Sequence, residues 1–366
     1  MMAQCSLCEQ NSAVISKALK VCLACIRQQP QAALEITARA HRESRADFGL
    51  PSSPPDNPAG LSCNICVNRC RMAENEIGYC GLRRNRNGRL AGVSASNGKL
   101  SWYHDPLPTN CVADWVCSGG IGAGYPEFAN RCGAETGFKN LAVFFQGCSF
   151  NCLFCQNWHF RNETFTSPMR SVKELVADAD EQTSCICYFG GDPSPQIPFS
   201  LKASRQALKK VGGRILRICW ETNGAVNSDL LDQMLEIAID SGGCVKFDLK
   251  AWNPTLHMAL TGATNRRTLN NFVRAAEKID RRPVPPLVVA NTLLVPGYID
   301  DQEVTAIAGF IADLNPDIPY SLLAFHPQFF MSDMPVTSKN LASQCLQAAR
   351  DSGLNNVRLG NVHLLV

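Results

Sequence analysis

Between Gly147 and Trp158, in GCSFNCLFCQNW, three cysteines stand as C-x3-C-x2-C: Cys148, Cys152 and Cys155. Thiols this close in sequence can turn their sulfurs toward one metal centre, and thiolates are the ligands of zinc and of iron–sulfur clusters. A structural zinc wants four protein ligands, and a 4Fe–4S cube has four irons to ligate. Three thiols therefore either wait for a distant fourth or leave one iron open. An open position is what a catalytic metal centre needs.

The chain has nineteen cysteines in 366 residues, fourteen of them before residue 156. An odd number bunched in C-x2-C pairs is a poor disulfide framework and a good set of metal ligands in a reducing compartment. Cys5, Cys8, Cys22 and Cys25 form C-x2-C-x13-C-x2-C, a zinc-ribbon-like spacing. Cys63, Cys66, Cys70 and Cys80, in CNICVNRCRMAENEIGYC, suit a structural zinc and a second cluster equally well. Cys185, Cys187, Cys219 and Cys244 lie in apolar runs and read as small buried core residues.

These thiols need a scaffold. Residues 1–48 read as a zinc-ribbon-like or cysteine-knuckle module and 49–62, GLPSSPPDNPAG at their start, as a linker. Residues 63–140 read as a cysteine-rich extension. From 141 to 366, apolar β-rich runs (LAVFFQG, CICYFGG, RILRICWE, CVKFDLK, LVVANTLLV, YSLLAFH) alternate with helical stretches, as βαβ units on a parallel sheet do. Polar groups gather where each run ends: Cys148; Gly190, Gly191 and Asp192; Glu221 and Asn223; Asp248 and Lys250; Val295 with its Pro-Gly; and His326. Barrels and open α/β sheets alike place their sites at these carboxyl ends.

Composition narrows the function. A net charge of +3 is too small to argue for nucleic-acid or membrane binding on its own, and no apolar run approaches a membrane span. The start, MMAQCSLCEQNSAV, lacks the basic and apolar blocks of a secretory signal, so the cytoplasm is the expected compartment.

The C-x3-C-x2-C loop after the first strand, with Phe154 before the last cysteine, resembles the cluster motif of radical S-adenosylmethionine (radical SAM) enzymes. The resemblance implies a (β/α)6 partial TIM barrel. It implies a 4Fe–4S cluster on Cys148, Cys152 and Cys155, with the SAM amino and carboxylate groups on the fourth iron. One electron from that cluster then cleaves the sulfonium bond to methionine and a 5′-deoxyadenosyl radical, which abstracts hydrogen. Gly190-Gly191-Asp192 stands where the family has Gly-Gly-Glu for the SAM amino group, with Asp one methylene shorter. WETNG, FDLK, LLVPGY and LLAFHP resemble strand ends of the pyruvate formate-lyase activating enzyme branch. By that likeness Glu221 or Asn223 would bind the SAM ribose. Asp248 and Lys250 would lie near the methionine carboxylate or the substrate, Val295 against adenine, and His326 on the substrate side. Cys63–Cys80 with GYCGLR, and FCQNW, resemble the radical SAM members of the AmmeMemoRadiSam set.

The branch implies a protein substrate, a glycine of a partner enzyme, and reduced flavodoxin or ferredoxin as electron donor. Against this, the C-x2-C-x2-C-x3-C runs of a two-ferredoxin insertion are absent, which keeps another peptide or a small molecule open as substrate. A non-catalytic iron–sulfur or zinc redox sensor is the competing class. It gives no reason for polar residues ordered along successive strand ends.

Overall fold

The computed structural model describes residues 2–366. One sheet organises it: β1 (Leu100–Pro106), β2 (Lys139–Phe145), β3 (Thr183–Gly190), β4 (Arg217–Thr222), β5 (Val245–Asp248), β6 (Val288–Leu294), β7 (Tyr320–Ala324) and β8 (Val357–Gly360). The strands pair in sequence order from β1 to β8. All the pairs from β2 to β8 are parallel, whereas β1 runs antiparallel to β2. The six strand runs expected from the sequence are β2 to β7. The parallel β8 and the antiparallel β1, which the front extension supplies, enlarge the sheet. It curls, because residues of all eight strands, from Tyr103 on β1 to Arg358 on β8, line one cavity.

Alternation along the strands separates two environments. On β3 and β4, Tyr188 and Trp220 point outward and hydrogen-bond Ser204 and Ser200 of the helix Ile197–Val211. Their neighbours Cys185, Cys187 and Cys219 point inward and pack with Cys244 and Val289 in a separate small cluster. The inward positions of β5 are Lys246, 1% exposed, and Asp248. Helices follow the strands because their apolar faces cover the outer side. They close on glycines where a left-handed residue is needed, as Gly242 does after Ser228–Ser241.

Residues 107–138 form a strap across the inside of the curl. Trp115 Nε1 donates to Ser321 Oγ on β7 (3.1 Å), and Arg358 on β8 holds Asp114 (2.6 Å). At the amino ends of the strands, Glu135 of the strap is fully buried against Arg217. No helix among the described residues is long and apolar enough to cross a membrane.

The front of the chain packs on this frame. Helix α1 (Leu23–Gln28) leads into α2 (Pro30–Ala46), which begins on a proline, where its missing N–H costs nothing. Arg27 pairs with Asp300 (2.8 Å), and Tyr298, after β6, donates to Val21 O and accepts from Ser16 N. His41 on α2 is buried: its Nε2 lies 3.0 Å from Ala259 O and its Nδ1 3.1 Å from Asn151 Nδ2. His257 is also buried, with Nδ1 2.7 Å from Ala263 O. Burial lowers both imidazoles to about 4. The unfolded chain, with histidines near 6.5, therefore binds more protons than the native state between these values. Stability is expected to fall as the pH drops from about 6.5 toward 4, by about 2 kcal/mol per histidine at pH 5. Urea titrations at pH 7 and pH 5 measure it, and His41→Gln should remove about half of the histidine-dependent loss.

Candidate active site

The loop carrying Cys148, Cys152 and Cys155 follows β2 and is held by its backbone. Asn151 N donates to Thr261 O (2.7 Å) and Leu153 N to Leu260 O (3.0 Å), tying it to the helix Pro254–Thr261. Asn151 Nδ2 also donates to Ser44 Oγ on α2 (2.8 Å), so the front module buttresses the loop. All three sulfur-bearing residues line the cavity of about 450 Å³ at the carboxyl ends of the strands. Burial pushes the Cys148 thiol well up and that of Cys152 up to about 12. Such thiols become thiolates when a bound cation supplies the compensating charge. Phe150 N (3.3 Å) and Asn223 Nδ2 (3.9 Å) donate to Cys148 Sγ, as groups that orient a ligating sulfur do.

Gly190 and Gly191 are demanded by close approach. Gly190 has φ +95°, and a Cβ there would lie 2.2 Å from Phe145 N; at Gly191 it would lie 2.5 Å from Gly147 O. Both contacts are with β2 and the cysteine loop, so this pair seats the second strand end against the first. Asp192 is 4% exposed and its carboxylate is fully engaged. Oδ1 accepts from Thr222 Oγ1 (2.9 Å) and Asn223 N (2.8 Å), and Oδ2 from Ser194 N (2.7 Å). Burial raises its pKa. It acts on the cavity by fixing Asn223, whose Nδ2 donates to Ser149 Oγ beside Cys148 (2.9 Å).

Glu221, Asn223, Asp248 and Lys250 also line the cavity. Asp248 and Lys250 form an ion pair, and Lys250 lies over the Phe154 ring. Val295 and His326 are not brought there. Val295 is buried in the main core, and His326 is exposed beside Gln328. The Pro-Gly-Tyr after Val295 serves the front module instead: a Cβ on Gly297 would meet Val14 O at 2.2 Å.

Sequence reasoning passes over the strap wall and Lys246. Cys111, Asp114 and Trp115 line the cavity, and Lys246 Nζ lies 3.0 Å from Cys111 Sγ and 3.7 Å from Glu221 Oε2. A signal is present: lysine and aspartate alternate with apolar residues in VKFDLK, which marks Lys246 as facing the same side as Asp248. Nothing comparable marks residues 107–117.

The cavity suits a polar ligand that supplies partners. Arg161 Nη1, Asp248 Oδ1 and Asn291 Oδ1 are buried without hydrogen-bond partners, and all three residues line it. Buried polar groups are rarely left so unless a ligand completes them. Anion-seeking guanidinium, acceptor oxygens and three thiols fit a zwitterionic, ribose-bearing molecule next to a thiolate-held cluster.

The front thiols are of a different kind. The Cys5, Cys8, Cys22 and Cys25 sulfurs all lie within 4.8 Å of one another, with Cys8 and Cys22 at 3.8 Å. Zinc–sulfur bonds of about 2.3 Å in a tetrahedron put sulfurs roughly 3.8 Å apart. These four residues therefore fit one tetrahedral ion.

Asp192→Asn is expected to keep the fold and to weaken SAM binding by about 10-fold, because it loses charge-assisted hydrogen bonds that orient Asn223. Calorimetric SAM titration of the cluster-loaded protein measures this. An unchanged affinity would reduce Asp192 to a turn residue.

Comparison with known proteins agrees with this geometry. Residues 142–308 match the radical SAM superfamily. An uncharacterised protein of Methanocaldococcus jannaschii is 26% identical over 311 residues, 82% of this chain and 81% of its own length. The pyruvate formate-lyase 1-activating enzyme of Escherichia coli strain K12 is 29% identical over 193 residues, 50% of this chain and 73% of that enzyme. The isethionate sulfite-lyase activating enzyme of Desulfovibrio desulfuricans is 33% identical over 159 residues, 43% of this chain and 47% of that enzyme. The family match lies over the strands that carry Cys148 to Asp248, so this part of the chain is similar to the radical SAM superfamily.

Proposed function

We propose that the protein is an oxidoreductase that binds a 4Fe–4S cluster through Cys148, Cys152 and Cys155 and cleaves SAM reductively to abstract hydrogen from a substrate. The observation that carries this reading is the set of three thiols opening onto a cavity that also holds three unpartnered buried polar atoms. When bound, the cluster and SAM supply one electron and a 5′-deoxyadenosyl radical. The chain's own residues bind and orient. Glu221 and Asn223 face the ribose, and Arg161, Asp248 and Lys250 receive the methionine end or the substrate. Asp192 holds Asn223 in place, and the strap keeps water from the inner wall. Reduced flavodoxin or ferredoxin supplies the electron. Cys5, Cys8, Cys22 and Cys25 bind zinc.

The activating-enzyme relatives favour a partner-protein glycine as hydrogen donor. The strap favours a second reading, a small molecule or a chain end, because Asp114 and Trp115 are pinned across the cavity to β8 and β7. Anaerobic reconstitution with iron and sulfide, then dithionite and SAM, tests the chemistry through 5′-deoxyadenosine measured by mass spectrometry. No product from a verified, reduced cluster would return the protein to a redox-sensing role. Adding the small-molecule and macromolecular fractions of a cell extract separates the substrate readings by which fraction stimulates product.

A further inference from the structure

Cys63, Cys66, Cys70 and Cys80 surround an internal space that Asn68, Gly78 and Arg83 also line. Cys70 Sγ accepts from Tyr79 N at 3.4 Å, and Asn68 Nδ2 lies 3.8 Å from Cys66 Sγ. Donors aimed at sulfur are the surroundings of a ligating thiolate. Arg83, 6% exposed, brings a positive charge to the same space.

The spacing of the sulfurs separates zinc from a cluster. Two sulfurs bound to one zinc at about 2.3 Å cannot stand more than about 4.6 Å apart. Among the described residues, the Cys5 group is the set of three or more candidate ligands whose atoms all lie within 4.8 Å. The Cys63 group does not close that far. Thiolates that each bind a different iron of a cluster stand wider, and no three of these sulfurs lie within 4.8 Å of one another.

This group shares a wall with the catalytic loop. Val67 N donates to Ala225 O and Asn227 N to Ile65 O, both at 2.8 Å, which stitches residues 65–67 to the loop after β4. Asn68 Nδ2 donates to Ser149 O at 2.8 Å, so one amide touches Cys66 and the residue beside Cys148. Arg45, 2% exposed, stacks on the ring of Tyr79, next to Cys80, at 3.5 Å, and its neighbour Ser44 on α2 accepts from Asn151 Nδ2 of the cysteine loop at 2.8 Å.

We propose that Cys63, Cys66, Cys70 and Cys80 hold a second iron–sulfur cluster that passes one electron to the cluster on Cys148, Cys152 and Cys155 across the Asn68–Ser149 and Arg45–Tyr79 wall. An external one-electron reductant of the flavodoxin or ferredoxin class reduces the second cluster. That cluster is reoxidised as its electron moves to the first, so no electron is gained or lost in the relay. The relay rests on the function proposed above; the metal assignment does not.

The test uses the full chain, purified and reconstituted anaerobically. Wild-type protein is expected to hold about six to eight irons and one zinc; about four irons and two zincs would overturn the assignment. The Cys148→Ala/Cys152→Ala/Cys155→Ala variant, checked for folding by circular dichroism, should keep about two to four irons and give an electron paramagnetic resonance signal on reduction. Zinc without iron in that folded variant would also overturn it. Cys66→Ser/Cys80→Ser should isolate the other signal. In reduced wild type, a spectrum broadened by coupling beyond the sum of the two is expected, and a simple sum would overturn the relay. These readouts do not involve SAM cleavage, so they stand apart from failure of the proposed reaction.

Discussion

Cys152→Ala is expected to reduce 5′-deoxyadenosine formation by well over the ~100-fold that loss of a hydrogen-bond partner of a metal ligand costs. The site offers three close thiols, and no neighbouring donor stands ready to replace one. Cys111 also lines the cavity, but it is engaged by Lys246 on the strap wall. The fold should survive. Leu153 and Asn151 fix the loop through backbone hydrogen bonds to Leu260 and Thr261, which an alanine at 152 leaves in place. The lost burial is one small side chain, worth about 1 kcal/mol. Melting curves, iron content and product assay on one sample separate the outcomes. Lost cleavage with lost iron and an unchanged melt is the expected result. Full cleavage in a folded Cys152→Ala protein would show that another residue set holds the catalytic cluster.

How much of the fold is legible in the sequence depends on periodicity. The strands β2 to β7 are buried on both faces and announce themselves as apolar runs, so their carboxyl ends can be aligned from residue order alone. Gly190, Asp192, Glu221 and Asp248 stand out in that way. The β1 strand, LSWYHDP, is largely exposed and carries a histidine, an aspartate and a proline, so it reads as irregular. The β8 strand is four residues long, too short to show a period. Likeness to strand ends points to His326 and Val295, but a strand end fixes only the neighbourhood. The local turn decides whether a side chain faces in. After β6 and β7 the chain turns toward the front module and the exterior. The strap escapes notice because its contacts are with residues about 200 to 245 positions away along the chain, such as Ser321 and Arg358. No local pattern encodes such partners.

The interior cysteines show the limit of reading residue types alone. Cys185, Cys187, Cys219 and Cys244 are buried, as small core residues should be, and Cys219 and Cys244 sulfurs touch at 3.8 Å. Their distinction lies in what joins them, since Cys111 and Cys117 of the strap pack on the same cluster. The strap is thus part of the barrel's interior, and its attachment controls the shape of the cavity wall.

That attachment predicts the largest stability effect. Glu135→Ala is expected to destabilise the fold by about 3–5 kcal/mol, since it leaves the Arg217 charge buried without its partner. Glu135 is 0% and Arg217 3% exposed. Their contact is bidentate, Nη1 to Oε1 at 2.9 Å and Nη2 to Oε2 at 2.5 Å. The same carboxylate accepts from Ser184 Oγ (2.7 Å) and Asn130 N (2.7 Å), so its loss strands further donors. Burial alone would raise the Glu135 pKa, but Arg217 and these hydrogen bonds outweigh it and hold it below the ordinary value. The stabilisation is therefore present above the ordinary glutamate range and lost as the pH falls through the lowered native value. A cycle of Glu135→Leu, Arg217→Met and the double variant checks the cause by urea unfolding at pH 7. The double variant should cost less than either single change, because it leaves no unpaired buried charge. Additive losses would mean that the pair is held by packing and not by charge. The pair lies at the amino ends of β3 and β4, away from the cysteine loop at the other end. Folded Glu135→Ala protein should therefore retain iron on Cys148, Cys152 and Cys155, while its looser strap lets solvent reach Cys111 from the inner wall. Faster alkylation of Cys111, followed by peptide mass spectrometry on the cluster-loaded protein, reads that change directly.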